Sequence, residues 1–169
     1  LVPDLDTFTA LPYAPKRAMM LSDLVKLDGM PWEACPRSFL KRMIKRAEDH
    51  GIRIMASFEP EWSLARKEGD TYVPLDESLY ASTVAMTTSQ AVIDDMVEAL
   101  EAQGLHVEMF HPELGHGQLE LSIRFADALR AADNHMLYRE TVRSVAWQHG
   151  FYASLAPKPF AEQSGNGCH

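Results

Sequence analysis

Glu59 and Glu61 stand in the segment Phe58-Glu59-Pro60-Glu61-Trp62. On a strand, residues i and i+2 project to the same side, so both carboxylates face one way. Two like charges so placed raise each other's pKa unless a cation lies between them. An isolated E-x-E is as a rule a pair of solvated surface glutamates. Here Ile54, Phe58 and Trp62 flank the pair and argue against full solvation. A second acidic pair lies in His111-Pro112-Glu113-Leu114-Gly115-His116-Gly117-Gln118-Leu119-Glu120, where a turn around Gly115-His116-Gly117 would bring Glu113 and Glu120 together across a hairpin. Hard divalent cations such as Mg2+ or Mn2+ prefer carboxylate oxygens in octahedral geometry. Four carboxylates from three strands, with one histidine, suit two such ions.

The histidine is His169, at the end of Lys158-Pro159-Phe160-Ala161-Glu162-Gln163-Ser164-Gly165-Asn166-Gly167-Cys168-His169. A lone C-terminal histidine carries little weight. This one gains weight from Gly165 and Gly167, because glycine lets backbone approach a ligand closely. His111 and His116 read as polar turn residues, and Lys158 as a structural or solvated cation.

In this order and at these separations, the E-P-E segment, the H-x-E-x6-E hairpin containing G-Q-x-E, and the K-P…G-x-G-x-H loop resemble the catalytic domain of glutamine synthetase. The resemblance implies that Glu61, Glu113 and Glu120 hold a metal near an amino-acid substrate, and that Glu59 and His169 hold a second metal on the nucleotide side. It places Glu108 and Phe125 at the nucleotide pocket, although core packing accounts for Phe125 equally well. It places Ser164 and Gly165 at the amino-acid substrate. The family usually has Asn where this chain has Ser164, which leaves the amino-acid specificity open. The implied reaction is an ATP-dependent ligation of glutamate with ammonia through γ-glutamyl phosphate, with Mg2+ or Mn2+ as cofactor and a ring-type homo-oligomer as the assembly. Two alternatives stand: a γ-glutamyl-polyamine or -amine ligase of the same family, and a non-catalytic structural relative. The latter would be expected to lose the metal carboxylates retained here.

The Val2-Pro3-Asp4…Thr7 start resembles the segment that closes the family's small N-terminal β-grasp domain. Residues 1–16 are therefore expected to be the end of that domain and a linker, and residues 17–169 the N-terminal part of the catalytic domain. The chain opens at Leu1 and stops inside a loop motif, so it reads as an interior piece of a longer polypeptide. By the same resemblance, a further metal ligand and the substrate-clamping arginines lie beyond residue 169, so the piece alone is expected to be inactive.

The pattern predicts elements able to position these residues. Residues 1–16 read as an extended linker and 19–25 as a short strand. Phe39, Leu40, Met43, Ile44 and Ala47 recur at helical spacing between Pro36 and Gly51. Residues 52–64 read as a strand. A helix starts near Ser89, with Val92, Ile93, Met96, Val97 and Leu100 buried, and stops at Gly104. Residues 105–110 and 118–125 form a hairpin. On its return strand Leu119, Leu121, Ile123 and Phe125 alternate with Gln118, Glu120, Ser122 and Arg124. A long helix runs over 127–149, and a last strand over 151–156. The sum is α+β: antiparallel strands with helices packed on one side.

The chain has 169 residues and a formal charge of −8, from 16 Lys and Arg against 24 Asp and Glu. That balance argues against nucleic-acid binding, which needs clustered cations to displace counterions. Lys41, Arg42, Lys45 and Arg46 recur beside Glu48 and Asp49 as the solvated face of a helix. The two cysteines, Cys35 and Cys168, form no metal-ligand spacing and read as free thiols in a reducing compartment. No apolar run approaches the ~20 residues of a membrane span. The expected location is the cytoplasm, with no membrane and no nucleic-acid partner.

Overall fold

The computed structural model describes residues 1–169. Its centre is the long strand β6, Glu61–Glu68. One edge of β6 pairs antiparallel first with β9 (Gln118–Ile123) and further along with β7 (Thr71–Pro74). The other edge pairs with β11, Tyr152–Ser154, and β8 (Val107–Pro112) completes the sheet beyond β9. Two long helices, α2 (Thr83–Ala102) and α3 (Ala128–Gln148), pack over one face. Between them and the sheet lies a single apolar core containing Trp62, Leu64, Leu119 and Leu121 from the strands, with Met96, Leu100, Leu137 and Val142 from the helices. The expected α+β arrangement, an antiparallel sheet with helices on one side, is present.

Strand alternation explains the sheet, since inward apolar residues on β6 and β9 face the helices. Helix ends follow capping chemistry. Ser82 Oγ accepts from Ala85 N at 3.4 Å at the start of α2, and Gly104 (φ +77°) supplies the left-handed residue after its end. Asp127 precedes α3 without capping it, because its carboxylate receives both bonds of the Arg53 fork, at 2.8 and 3.0 Å.

Several boundaries differ from the sequence reading. Helix α2 begins at Thr83 and not near Ser89. Val84 and Thr87 in its first turns are exposed, so no apolar period marks them. The expected strand over 52–64 is two pieces, β5 (Met55–Ala56) and β6, broken at 57–60. Pro60 lacks an N–H for the ladder, and Ser57 spends its hydroxyl on Ile123 O. Beyond Leu64 the charged run Arg66-Lys67-Glu68 shows no alternation, yet it continues β6 and turns at Gly69 (φ +61°) into β7. On α1 (Pro36–Glu48), Leu40, Ile44 and Ala47 turn inward while Phe39 and Met43 are exposed. Phe125 lies outside β9 and is exposed, so it does not share the core face of Leu119.

Residues 1–16 are not a free linker. β1 (Val2–Pro3) pairs with β4 (Ser22–Asp23), and β2 (Thr9–Ala10) with β3 (Ala18–Met19). The expected single strand over 19–25 is split because Leu21 N turns to Thr7 Oγ1 at 2.8 Å. Arg37 of α1 fastens this segment to the body, reaching Asp4 (2.6 Å), Asp23 (3.0 Å) and Asp133 of α3 (2.9 Å). The short strand β10 (Ala126–Asp127) pairs with β5 and leads into α3.

Candidate functional site

The register of the sheet assembles the polar residues. Glu61 on β6 lies opposite Glu120 on β9, and Glu120 lies opposite His111 on β8. A row Glu61–Glu120–His111 therefore crosses three strands on the face turned away from the core. Glu113 follows two residues after His111, and its backbone N–H donates to Gln118 O at 2.8 Å. His111 Nδ1 is 3.2 Å from Glu113 Oε1, and its Nε2 is 3.5 Å from Glu120 Oε1.

The terminal segment closes the other side. Glu61 N donates to Gly167 O at 3.0 Å and Glu59 N to His169 O at 3.2 Å, with Pro60 and Cys168 bridged antiparallel. This lays residues 167–169 along β6 on the edge opposite β9. His169 Nδ1 comes to 3.9 Å from Glu61 Oε1. The glycines follow from the close approach. A Cβ on Gly167 would sit 2.9 Å from Glu61 Oε1, and one on Gly165 would sit 2.8 Å from Pro157 O.

Ligand atoms sort into two sets, each mutually within 4.8 Å: Glu61, Glu120 and His169, and His111, Glu113 and Glu120. Glu120 belongs to both. It is only 6% exposed, and burial drives its pKa above the ordinary carboxylate value; His111 opposes the shift, while Glu59, Glu113 and Glu61 add to it. A buried carboxylate facing three others, with imidazole as the nearby counter-group, is a strongly anionic pocket. Its oxygen-rich donor set fits Mg2+ or Mn2+.

Of the residues singled out in the sequence, Glu61, Glu113, Glu120 and His169 converge. Glu59 is exposed and falls outside both sets, though near enough to act on Glu120 through its charge. Ser164 and Gly165 are exposed on the loop beside the cluster, where Gly165 O accepts from Gln118. Glu108 and Phe125 lie outside the cluster. Glu108 is paired with Arg124 at 2.9 Å, and Phe125 is 60% exposed.

His111 is not a turn residue: it sits on β8 inside the cluster. Its i+2 spacing to Glu113 on a strand was the signal that could have found it. Tyr80 was missed as well. Its ring meets that of His111 edge-on at 5.7 Å, and the following Ala81 adopts φ +56° with its N–H bonded to Pro112 O. His116 lies at the turn, its ring Nδ1 3.3 Å from Gln163 Nε2.

Fold and site together define an α+β scaffold with a candidate divalent-cation centre on the polar face of its sheet. Residues 33–169 match the family model described as "Glutamine synthetase, catalytic domain". The chain is 38% identical over 173 residues to the gamma-glutamylpolyamine synthetase GlnA3 of Streptomyces coelicolor, covering 100% of this chain and 37% of that relative. It is 34% identical over 176 residues to the glutamine synthetase of Halobacterium salinarum, covering 100% of this chain and 39% of that one. Among solved structures, a GmaS/ADP complex superposes with a TM-score of 0.90 at 30% identity, covering 98% of this chain and 39% of that one. A crystal structure of a novel glutamine synthase homolog gives 0.86 at 34% identity, covering 99% and 39%. The chain belongs to the glutamine synthetase family. It spans about two fifths of the length of these relatives.

Proposed function

We propose that the chain supplies the metal-binding face of an ATP-dependent carbon–nitrogen ligase. The ligase joins the γ-carboxylate of glutamate to ammonia through γ-glutamyl phosphate. The observation that supports this most directly is the buried Glu120 flanked by Glu61 on one strand and by His111 and Glu113 on another. Glu61, Glu113 and Glu120 would hold a Mg2+ or Mn2+ ion near the amino acid, with His111 at its edge. Glu59 and His169 would hold a second ion on the nucleotide side. Such ions neutralise phosphate charge. The chain's own part is to hold these carboxylates close and fixed by the sheet ladder, so that little reorganisation is needed at reaction. Ser164 and Gly165 lie where a loop can meet the glutamate backbone groups. Glu108 and the exposed ring of Phe125 offer contacts to the nucleotide. The protein would act in the cytoplasm as a ring-type homo-oligomer; no helix of the chain is long and apolar enough to cross a membrane.

A second reading replaces ammonia with a polyamine or other amine. The 38% identity to a gamma-glutamylpolyamine synthetase favours it, and Ser164 is compatible with it. Phosphate release from ATP by the intact purified protein, with glutamate and either ammonium or a panel of mono- and diamines, tests both. Glutamate- and Mg2+-dependent release is expected, and the acceptor giving the highest kcat/KM chooses between the readings. Absence of glutamate-dependent release with every acceptor would reject both.

A further inference from the structure

We infer that the Gln118 side-chain amide is a positioning group that aims Glu61 and fixes the 164–167 loop together. Gln118 is 2% exposed, and both ends of its amide are engaged. Its Oε1 accepts from Gly115 N at 2.8 Å. Its Nε2 donates to Glu61 Oε2 at 2.7 Å and to Gly165 O at 2.8 Å, with Asn166 Oδ1 at 3.1 Å alongside. The network leaves one orientation, because a flipped amide would set its oxygen against a carboxylate and a carbonyl.

The consequence for Glu61 is a division of labour between its oxygens. Oε2 is held by Gln118 and by Gly167 N at 3.0 Å. That leaves Oε1, which faces His169 Nδ1 at 3.9 Å, as the oxygen free for a cation. The loop is held from behind by Asn166, whose Nδ2 donates to Ala156 O (2.8 Å) and Ser154 O (3.1 Å) and whose Oδ1 faces Ser63 Oγ at 3.2 Å. Gln118 is thus the bond donor shared by the carboxylate and the loop. Glycine is required beside it, since a Cβ on Gly115 would lie 2.8 Å from Gln118 Oε1. A hydrogen bond to a charged group is among the stronger ones, and a buried group left without its partner costs more still. Loss of Gln118 therefore removes one of the two bonds that hold Glu61 Oε2 and loosens the loop in one event.

This inference rests on the reading of Glu61 as a cation ligand, and the test separates the two. Gln118→Met keeps length without donors, and Gln118→Glu keeps shape but sets a second carboxylate against Glu61. In both, deuterium uptake in peptides covering 157–167 should accelerate roughly tenfold, with peptides from the centre of α3 unchanged. Mn2+ affinity by calorimetry should fall roughly tenfold or more. Wild-type uptake over 157–167 and wild-type Mn2+ affinity in either folded variant would overturn the inference. Glu61→Gln belongs in the same titration. If it abolishes Mn2+ binding while both Gln118 variants bind normally, the positioning role fails and the cation reading stands. If it leaves Mn2+ binding intact, the cation reading fails, and faster uptake in the Gln118 variants still supports the clamp.

Discussion

The two faces of strands β6 and β9 are both buried and differ in what they are buried against. On one face Trp62, Leu64, Leu119 and Leu121 are at most 1% exposed and lie in the apolar cluster shared with the helices. On the other, Gln118 at 2% and Glu120 at 6% are nearly as inaccessible, yet they meet amides, imidazoles and other carboxylates. Burial is therefore not what distinguishes core from site; the chemistry of the neighbours is. The core face gains from dispersion and the removal of apolar surface. The site face accepts an electrostatic penalty at Glu120, which His111 offsets in part and a bound cation would relieve further.

The largest test of that contrast is Glu120→Gln. Product formation should drop by at least about 100-fold, since a charge placed for the transition state is lost with shape retained. Stability of the metal-free protein should move the other way. Because burial raises the Glu120 pKa above its ordinary value of 4.5, the folded state holds its proton longer than the unfolded chain does. Stability contributed at this site therefore declines as pH rises from the ordinary value through the raised one, and stays lower above it. Urea unfolding in chelator should show Glu120→Gln more stable than wild type at about pH 8 and equal to it at about pH 4. Equal stability at both would mean that the site face carries no such penalty.

Leu121→Ala probes the opposite face. It should cost about 3 kcal/mol by leaving a cavity between sheet and helices. Mn2+ affinity should stay within about twofold, because the Leu121 side chain points to the opposite face of β9 from that of its neighbour Glu120. A large loss of Mn2+ affinity would show that the faces are not separable.

Trp62→Phe tests a polar contact between sheet and helix inside the core. Trp62 Nε1 donates to Tyr138 Oη at 2.9 Å, and burial holds that phenol well above its usual range. Removing the donor leaves a buried hydroxyl oxygen poorer by one partner, costing about 1–2 kcal/mol in urea unfolding. The smallest effect is expected at the exposed rim. Ser164→Asn should shift stability by less than about 0.5 kcal/mol while changing KM for glutamate a few-fold. An unchanged KM would remove Ser164 from the substrate loop.

Much of this contrast was legible in the residues. The alternation over 118–123 told which side of β9 is core, and the E-x-E spacing put Glu59 and Glu61 on one side of the chain. Helix ends marked by Ser82 and Gly104 follow local capping rules, although the start of α2 was placed too late because its first turns bear no apolar period. The continuation of β6 through Arg66-Lys67-Glu68 was not legible, because exposed charged strands carry no hydrophobic signal. His111 escaped for a related reason. A histidine next to proline and near glycines looks like turn chemistry until a partner strand is laid beside it.

The sequence by itself determined the local conformations and the list of groups able to bind a cation, since backbone propensity, strand alternation and side-chain chemistry act over a few residues. Only the tertiary structure decided which of those groups meet. The register of β6, β9 and β8 aligned Glu61, Glu120 and His111, and the return of residues 167–169 along β6 brought His169 to Glu61 while Glu59, two residues away, remained exposed. The physical reason is range. The β8–β9 hairpin is local, but the β6–β9 register and the loop return are set by pairings between segments about 60 to 110 residues apart, which no local pattern encodes.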